Sequence, residues 1–274
     1  MHAYLKKCIN ELAVFWEKDP DAEAFSMNGS GGRAEDDEWS DGDVVLVVKD
    51  SSYARIYAGL IDHMSRICGD IRLWILEGES SRCVNFAFLF EKEGEQFLMD
   101  HTLFCESLIK EMPSFDAGFI FFDKTGTLTS AGKRFAEQKL TLEPKALLDI
   151  TDTYLIYAYL NGKYYRRSDT AKLLYIQNTL RDLHIRLLQF LYPDWIFTGW
   201  WCRDIHFLSP EHQETVLLYA ATAENDQIAR RVWLELDRFA NDARNAFAIT
   251  NDKYPAEKEL YVRRQLKDSG LPMN

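Results

Sequence analysis

No run in these 274 residues comes near the roughly 18 uninterrupted apolar residues of a membrane span. The amino-terminal stretch "MHAYLKKCINELAVFWEKDPD" carries charge throughout and has no apolar core, so it does not read as a secretory signal. Cysteine is sparse. The five present (Cys8, Cys68, Cys83, Cys105, Cys202) are scattered, form no C-x-x-C pair and show no zinc-site spacing with His. Reduced thiols in a cytoplasmic protein are the expectation, with no membrane partner. Basic charge is also in deficit: 32 Lys and Arg against 43 Asp and Glu leave −11, which disfavours a nucleic-acid partner. An acidic surface suits a cationic small molecule, and it equally serves solubility. There is no internal repeat or low-complexity tract, and nothing in the pattern sets an oligomeric state.

What is present is core-forming. Hydrophobic residues make up 47% of the chain, enough for two domains of ordinary size. Leu5, Ile9, Leu12 and Trp16 recur at helical spacing. Strand-like runs follow at Ala24–Met27, Val44–Val48, Ile71–Leu76, Val84–Phe90, Gln96–Phe104 and Phe119–Phe122, with a helix from Tyr53 to Ile67 between the second and third. "EKEGE", Glu91–Glu95, signals a hairpin turning at Gly94. Beyond about residue 130 the pattern changes. "SAGKRFAEQKLTLEP" reads as a polar connector. Leu147, Ile150, Tyr154 and Ala158 then start a helix with Gly162 as its expected C-cap. Leu173 to Phe190 form a second helix, beginning near Ser168-Asp169 and stopped before Pro193. Further helices are expected over Glu211–Thr222, Asp226–Ile249 and Pro255–Lys267. The expectation is an α+β domain over 1–135 and a helical bundle over 136–274, with the site in the cleft between them.

Two motifs carry chemistry. "GFIFFDKTGTLTS", Gly118–Ser130, delivers Asp123 from an apolar run into Lys-Thr-Gly-Thr. It resembles the phosphorylated-aspartate signature of the P-type pumps and their haloacid-dehalogenase-like relatives, where the aspartate is a nucleophile. The pumps must cross a membrane. The soluble relatives need further βα units after the aspartate, whereas everything downstream here reads as helical. A turn tightened at Gly126 is the simpler reading.

The second motif is "SMNGSGGRAEDDEWSDGDVVLVV", Ser26–Val48. A strand runs into Gly29-Ser30, and Asp41-Gly42-Asp43 opens the next apolar strand. This resembles the nucleotidyltransferase superfamily of polymerase β-like fold. The variant with Arg33, followed by Glu38-Trp39-Ser40-Asp41, looks most like the bacterial antibiotic adenylyltransferases acting on aminoglycosides and lincosamides. Two aspartates two apart on a strand leave the same face, and their repulsion is relieved by a divalent cation; oxygen ligands favour Mg²⁺. Gly29 allows close backbone approach to phosphate, Ser30 adds donors, and Arg33 adds charge. The family needs a third acid on a neighbouring strand, and Asp100 interrupts the apolar run of "GEQFLMDHTLF", where an unpaired charge is costly.

By resemblance, Asp41, Asp43 and Asp100 are the metal and catalytic set, Gly29, Ser30 and Arg33 hold nucleotide, and helices bind the acceptor. The implied activity is Mg²⁺-dependent transfer of AMP from ATP to a hydroxyl of a small molecule. The −11 charge and the acidic run Glu35–Glu38 favour an aminoglycoside-like acceptor. The alternatives are a lincosamide acceptor, met by aromatics such as those in "DWIFTGWWCRDIHF", Asp194–Phe207, or a non-catalytic, antitoxin-like nucleotide binder. A haloacid-dehalogenase-like phosphatase using Asp123 is the distant one. The six histidines suggest no triad or metal set.

Overall fold

A computed structural model describes residues 1–92, 94–137, 143–192, 201–220 and 222–272. The chain divides into two compact units, Met1–Gln138 and Lys139–Asn274. Among the described residues no helix is long and apolar enough to cross a membrane.

The first unit is α+β. Its elements are α1 (Ala3–Lys18), β1 (Ala22–Met27), α2 (Gly29–Gly32), β2 (Gly42–Val48), α3 (Tyr53–Cys68), β3 (Asp70–Glu79), β4 (Cys83–Lys92), β5 (Glu95–Cys105), α4 (Glu106–Glu111), β6 (Phe119–Asp123) and α5 (Thr127–Glu137). The strands form one mixed sheet in the order β3-β4-β5-β2-β1-β6. Neighbours are antiparallel except β2 and β5, which run parallel. The apolar stripe of α1 and Ile56, Leu60 and Met64 of α3 bury against one sheet face, with Phe25, Leu46, Phe88 and Met99. On the other face Val45, Val47 and Phe104 meet Ile109 of α4 and Leu128 and Ala131 of α5. Strand β2 is therefore covered on both faces, which explains its unbroken Val44–Val48 run.

The second unit is helical in every described element: α6 (Pro144–Arg166), α7 (Thr170–Leu188), α8 (Trp201–Asp204), α9 (Pro210–Leu217), α10 (Asn225–Ile249) and α11 (Ala256–Asp268). Helix α7 begins where expected, because the Asp169 carboxylate accepts from the Lys172 N–H as its N-cap. The core gathers Leu147, Leu180, Leu187, Leu236 and Leu266 around Tyr154, whose ring stacks on Phe239 at 3.5 Å between centroids.

Three expectations change. The connector after Ser130 is helical as far as Glu137, because Leu128 and Ala131 supply a short buried face that the polar residues around them hide. Gly162 does not cap α6; it lies within the helix, where a Cβ would fall 2.4 Å from the Ser269 Oγ, so its bareness serves close packing. Helix α9 ends at Leu217, short of the expected Thr222. Residues 138–142 of the connector and 193–200 of the aromatic stretch lie outside the described residues.

Candidate active site

The site is built where the start of β2 meets the middle of β5. Their parallel register sets Asp43 beside Asp100 and Gly42 beside Met99. Alternation then sorts the faces. Val44, Leu46 and Met99 point to the α1/α3 core, while Asp43 and Asp100 share the side that α4 and α5 cover only further along the strands. Asp41 comes just before β2, across Gly42 from Asp43. A Cβ on Gly42 would meet the Ile9 Cδ1 at 3.1 Å, so the glycine makes room for α1.

Asp100 is half-buried in mid-strand, opposite Ala87 on its other side. Burial first, then the charges of Asp43, Glu77 and Asp41, push its carboxyl up to about 6. Three carboxylates therefore bear on Asp100 here, and Glu77 is the one that the sequence does not reveal. It sits on β3, and its Oε2 accepts from Asn85 Nδ2 at 2.7 Å; Asn85 Oδ1 in turn accepts from the Thr102 hydroxyl at 2.8 Å. The next residue along, His101, turns to the opposite face, is fully buried, and is pushed down to about 4 by that burial.

Gly29 has φ +58°, and a Cβ there would lie 1.7 Å from the Asp43 Oδ2. The space left by its missing side chain is taken by the Asp43 carboxylate, and that contact accounts for the glycine more directly than approach to phosphate. The turn is fixed by the Asn28 N–H donating to the Asp43 carbonyl at 2.7 Å and by Asn28 Nδ2 donating to the Asp116 carbonyl at 2.8 Å. Ser30 lies in α2, a single turn, and the N–H groups of Arg33 and Glu35 both donate to its carbonyl. Arg33 donates from Nε to Glu35 at 2.7 Å, while its Nη1 is buried with no hydrogen-bond partner.

The acidic run is largely committed to local structure. Asp36 binds the chain's terminal ammonium at 2.7 Å and Lys6 at 2.8 Å, and these contacts, Lys6 foremost, hold its carboxyl down at about 2. Asp37 accepts from the Trp39 N–H and the Ser40 hydroxyl, each at 3.0 Å. The run therefore offers less free negative charge than its composition suggests.

Asp123 stands apart from this set. It ends the edge strand β6, antiparallel to β1, and its carboxylate accepts from the Thr127 N–H at 3.0 Å and from the Thr129 N–H and hydroxyl at 2.8 Å. It caps α5, with Gly126 at φ +72° in the turn. Among the described residues, no three or more His, Cys, Asp or Glu side chains form a group disposed to hold a metal ion by themselves. In the helical unit His184 and His212 converge on Asp242.

No family model and no curated protein matches the chain. Among solved structures it is similar to an aminoglycoside 6-adenyltransferase from Bacillus subtilis, at 11% identity and a TM-score of 0.36, over 99% of this chain and 100% of that one.

Proposed function

We propose that this protein is a nucleotidyltransferase that moves AMP from ATP to a hydroxyl of a small molecule, preferably an aminoglycoside-like cation. The observation that carries the reading is the register pairing of Asp43 with Asp100 on parallel strands, against a glycine turn shaped around the Asp43 carboxylate. Two facing carboxylates are a sufficient protein contribution for Mg²⁺, which keeps water and phosphate oxygens in its shell. Asp43 and Asp100 would hold the ion with Asp41 alongside, and when bound it supplies charge neutralisation on the triphosphate and the leaving pyrophosphate.

The chain's own groups do the rest. Arg33 offers its unpartnered Nη1 to a phosphate oxygen. Gly29 of the preceding turn borders the Asp43 carboxylate. Asp100 takes the proton of the acceptor hydroxyl as its oxygen bonds to the α-phosphorus and the bond to pyrophosphate breaks. The first unit is the catalytic domain, and the helical unit contributes to acceptor binding.

The test is pyrophosphate release from ATP and Mg²⁺ across aminoglycosides and lincosamides. Turnover that survives Asp43→Asn unchanged refutes the mechanism. A non-catalytic nucleotide binder of the same fold is the second reading. ATP binding without transfer to any acceptor would select it.

A further inference from the structure

An exposed tryptophan stands next to the carboxylates. Trp39 is 86% exposed, yet its loop is held in place. The Trp39 N–H donates to Asp37 at 3.0 Å, and the Asp37 N–H donates to the Ser40 hydroxyl at 3.0 Å. One residue before, Asp36 ties the loop to the terminal ammonium and to Lys6. A fixed loop that holds a large apolar ring in water keeps a surface the rest of the fold does not use.

That ring lines a cavity of about 420 Å³ together with His2, Glu38, Asp41, Glu95 and Leu98. The volume suits a small-molecule ligand. Three carboxylates face one imidazole, and His2 pairs with Glu95 at 3.1 Å. The balance repels a triphosphate and attracts a cation. Of the acidic run, Glu35 pairs with Arg33, Asp36 is doubly paired and Asp37 is used within the loop; Glu38 is the member that lines the cavity. Asp41 belongs both to the cavity and to the carboxylate set around Asp100. A molecule seated here borders the proposed reacting centre.

We propose that this cavity receives an amino-sugar ring of the acceptor, with the Trp39 indole stacked on the ring and Glu38 and Glu95 pairing with its ammonium groups. The assignment rests on the transfer reading for the meaning of the word acceptor, but the binding it describes needs neither nucleotide nor metal. An indole face favours both the apolar side of a sugar and a nearby cation, and carboxylates at the rim supply charge-assisted hydrogen bonds.

Calorimetry on the full chain, in EDTA and without nucleotide, separates the two claims. Kanamycin, streptomycin and lincomycin are titrated into the wild type, Trp39→Ala, Trp39→Phe and Glu38→Gln/Glu95→Gln. At least one aminoglycoside should bind the wild type. Trp39→Ala should weaken it about tenfold, and Trp39→Phe much less. The double Gln variant should lower both affinity and its salt dependence. Binding of α,β-methylene-ATP with Mg²⁺ should be the same in all four proteins. The proposal is overturned if no aminoglycoside binds, if Trp39→Ala binds as the wild type does, or if that variant weakens the nucleotide analogue instead. Trp39-dependent aminoglycoside binding with no nucleotide binding upholds the cavity and sinks the transfer reading; nucleotide binding with no aminoglycoside binding does the reverse.

Discussion

Replacing Asp100 with Asn should stabilise the first unit near neutral pH, because the native carboxylate is held where ionisation is unfavourable. Its carboxyl titrates at about 6 against an ordinary 3.8, raised by burial and by Asp43, Glu77 and Asp41. Two pK units correspond to about 3 kcal/mol between protonation states. Asp100 is only half-buried, so solvent screening reduces the usable figure to about 1–2 kcal/mol. The direction follows from proton uptake. Between pH 4 and 6 the native state binds more protons at this site than the unfolded chain, so Asp100's contribution is fully present below about 4 and lost as pH rises through about 6. An amide does not titrate. Asp100→Asn should match the wild type at pH 3.5 and exceed it by about 1–2 kcal/mol at pH 8.

The two compact units need not unfold together, so a single global transition is a poor probe. Hydrogen exchange of the β2 and β5 amides, read by mass spectrometry and corrected for the intrinsic rate at each pH, reports opening of this unit directly. A variant less stable than the wild type at pH 8, or a difference that does not change with pH, would show that Asp100 is not repelled by its neighbours. Adding MgCl₂ with α,β-methylene-ATP should protect the wild type and not the variant, since only a state that binds the ion gains from it. Equal protection of both would remove Asp100 from the proposed metal set.

Three further substitutions test the geometry. Gly29→Ala must move the Asp43 carboxylate, which a Cβ would meet at 1.7 Å, so pyrophosphate release should fall about a hundredfold; unchanged turnover would refute the placement. Asp123→Ala should cost about 1–2 kcal/mol, read by hydrogen exchange of α5, by uncapping that helix, yet leave transfer within about twofold, and the chain should take no label from γ-labelled ATP. Gly162→Ala should cost about 1–3 kcal/mol by crowding Ser269, and Ser269→Gly should restore much of that loss in the double variant.

The elements that sequence predicted well were those with a strong period. The α1 stripe and the Val44–Val48 run each bury a continuous surface, and burial is what periodicity reports. Helix α5 is hidden because its apolar buried face is only Leu128 and Ala131 and its start is set by Asp123, four positions back, through side-chain hydrogen bonds that no apolar pattern records. The site shows the same division. Asp41, Asp43 and Asp100, the carboxylates proposed to hold the ion, could be named from a motif and from a charge interrupting an apolar strand. Glu77 could not, since it reaches the site only through the pairing of β3, β4 and β5, which is set by register rather than by local residues. Trp39 was visible in the motif itself, but whether an indole is buried or presented is decided by the loop's hydrogen bonds.

A buried histidine finds its partners only through the fold, and the helical unit shows how. His184 lies in the apolar stripe of α7 beside Leu183 and Leu187, where sequence alone gives no partner. In the fold its Nε2 meets the Asp242 Oδ2 at 2.9 Å and its Nδ1 meets the Tyr219 hydroxyl at 2.8 Å; that hydroxyl also meets Tyr154 at 2.8 Å. The charge states then fix every direction. Burial would raise Asp242, but hydrogen bonds from His184 and His212 outweigh it and hold the carboxyl at about 2, so it only accepts. His184, pushed down by burial, stays neutral and must carry its proton on Nε2. Its Nδ1 then accepts from Tyr219, and Tyr219 accepts from Tyr154. His212, lifted to about 9 chiefly by Asp242, balances the carboxylate's charge at 3.4 Å. One ion pair and one tautomer satisfy a chain of groups contributed by α6, α7, α9 and α10 and the residues just after α9. A helix displaced by one turn would strand at least one buried polar group, at about 1–3 kcal/mol each. The network therefore specifies the helix packing that apolar residues alone would leave loosely defined.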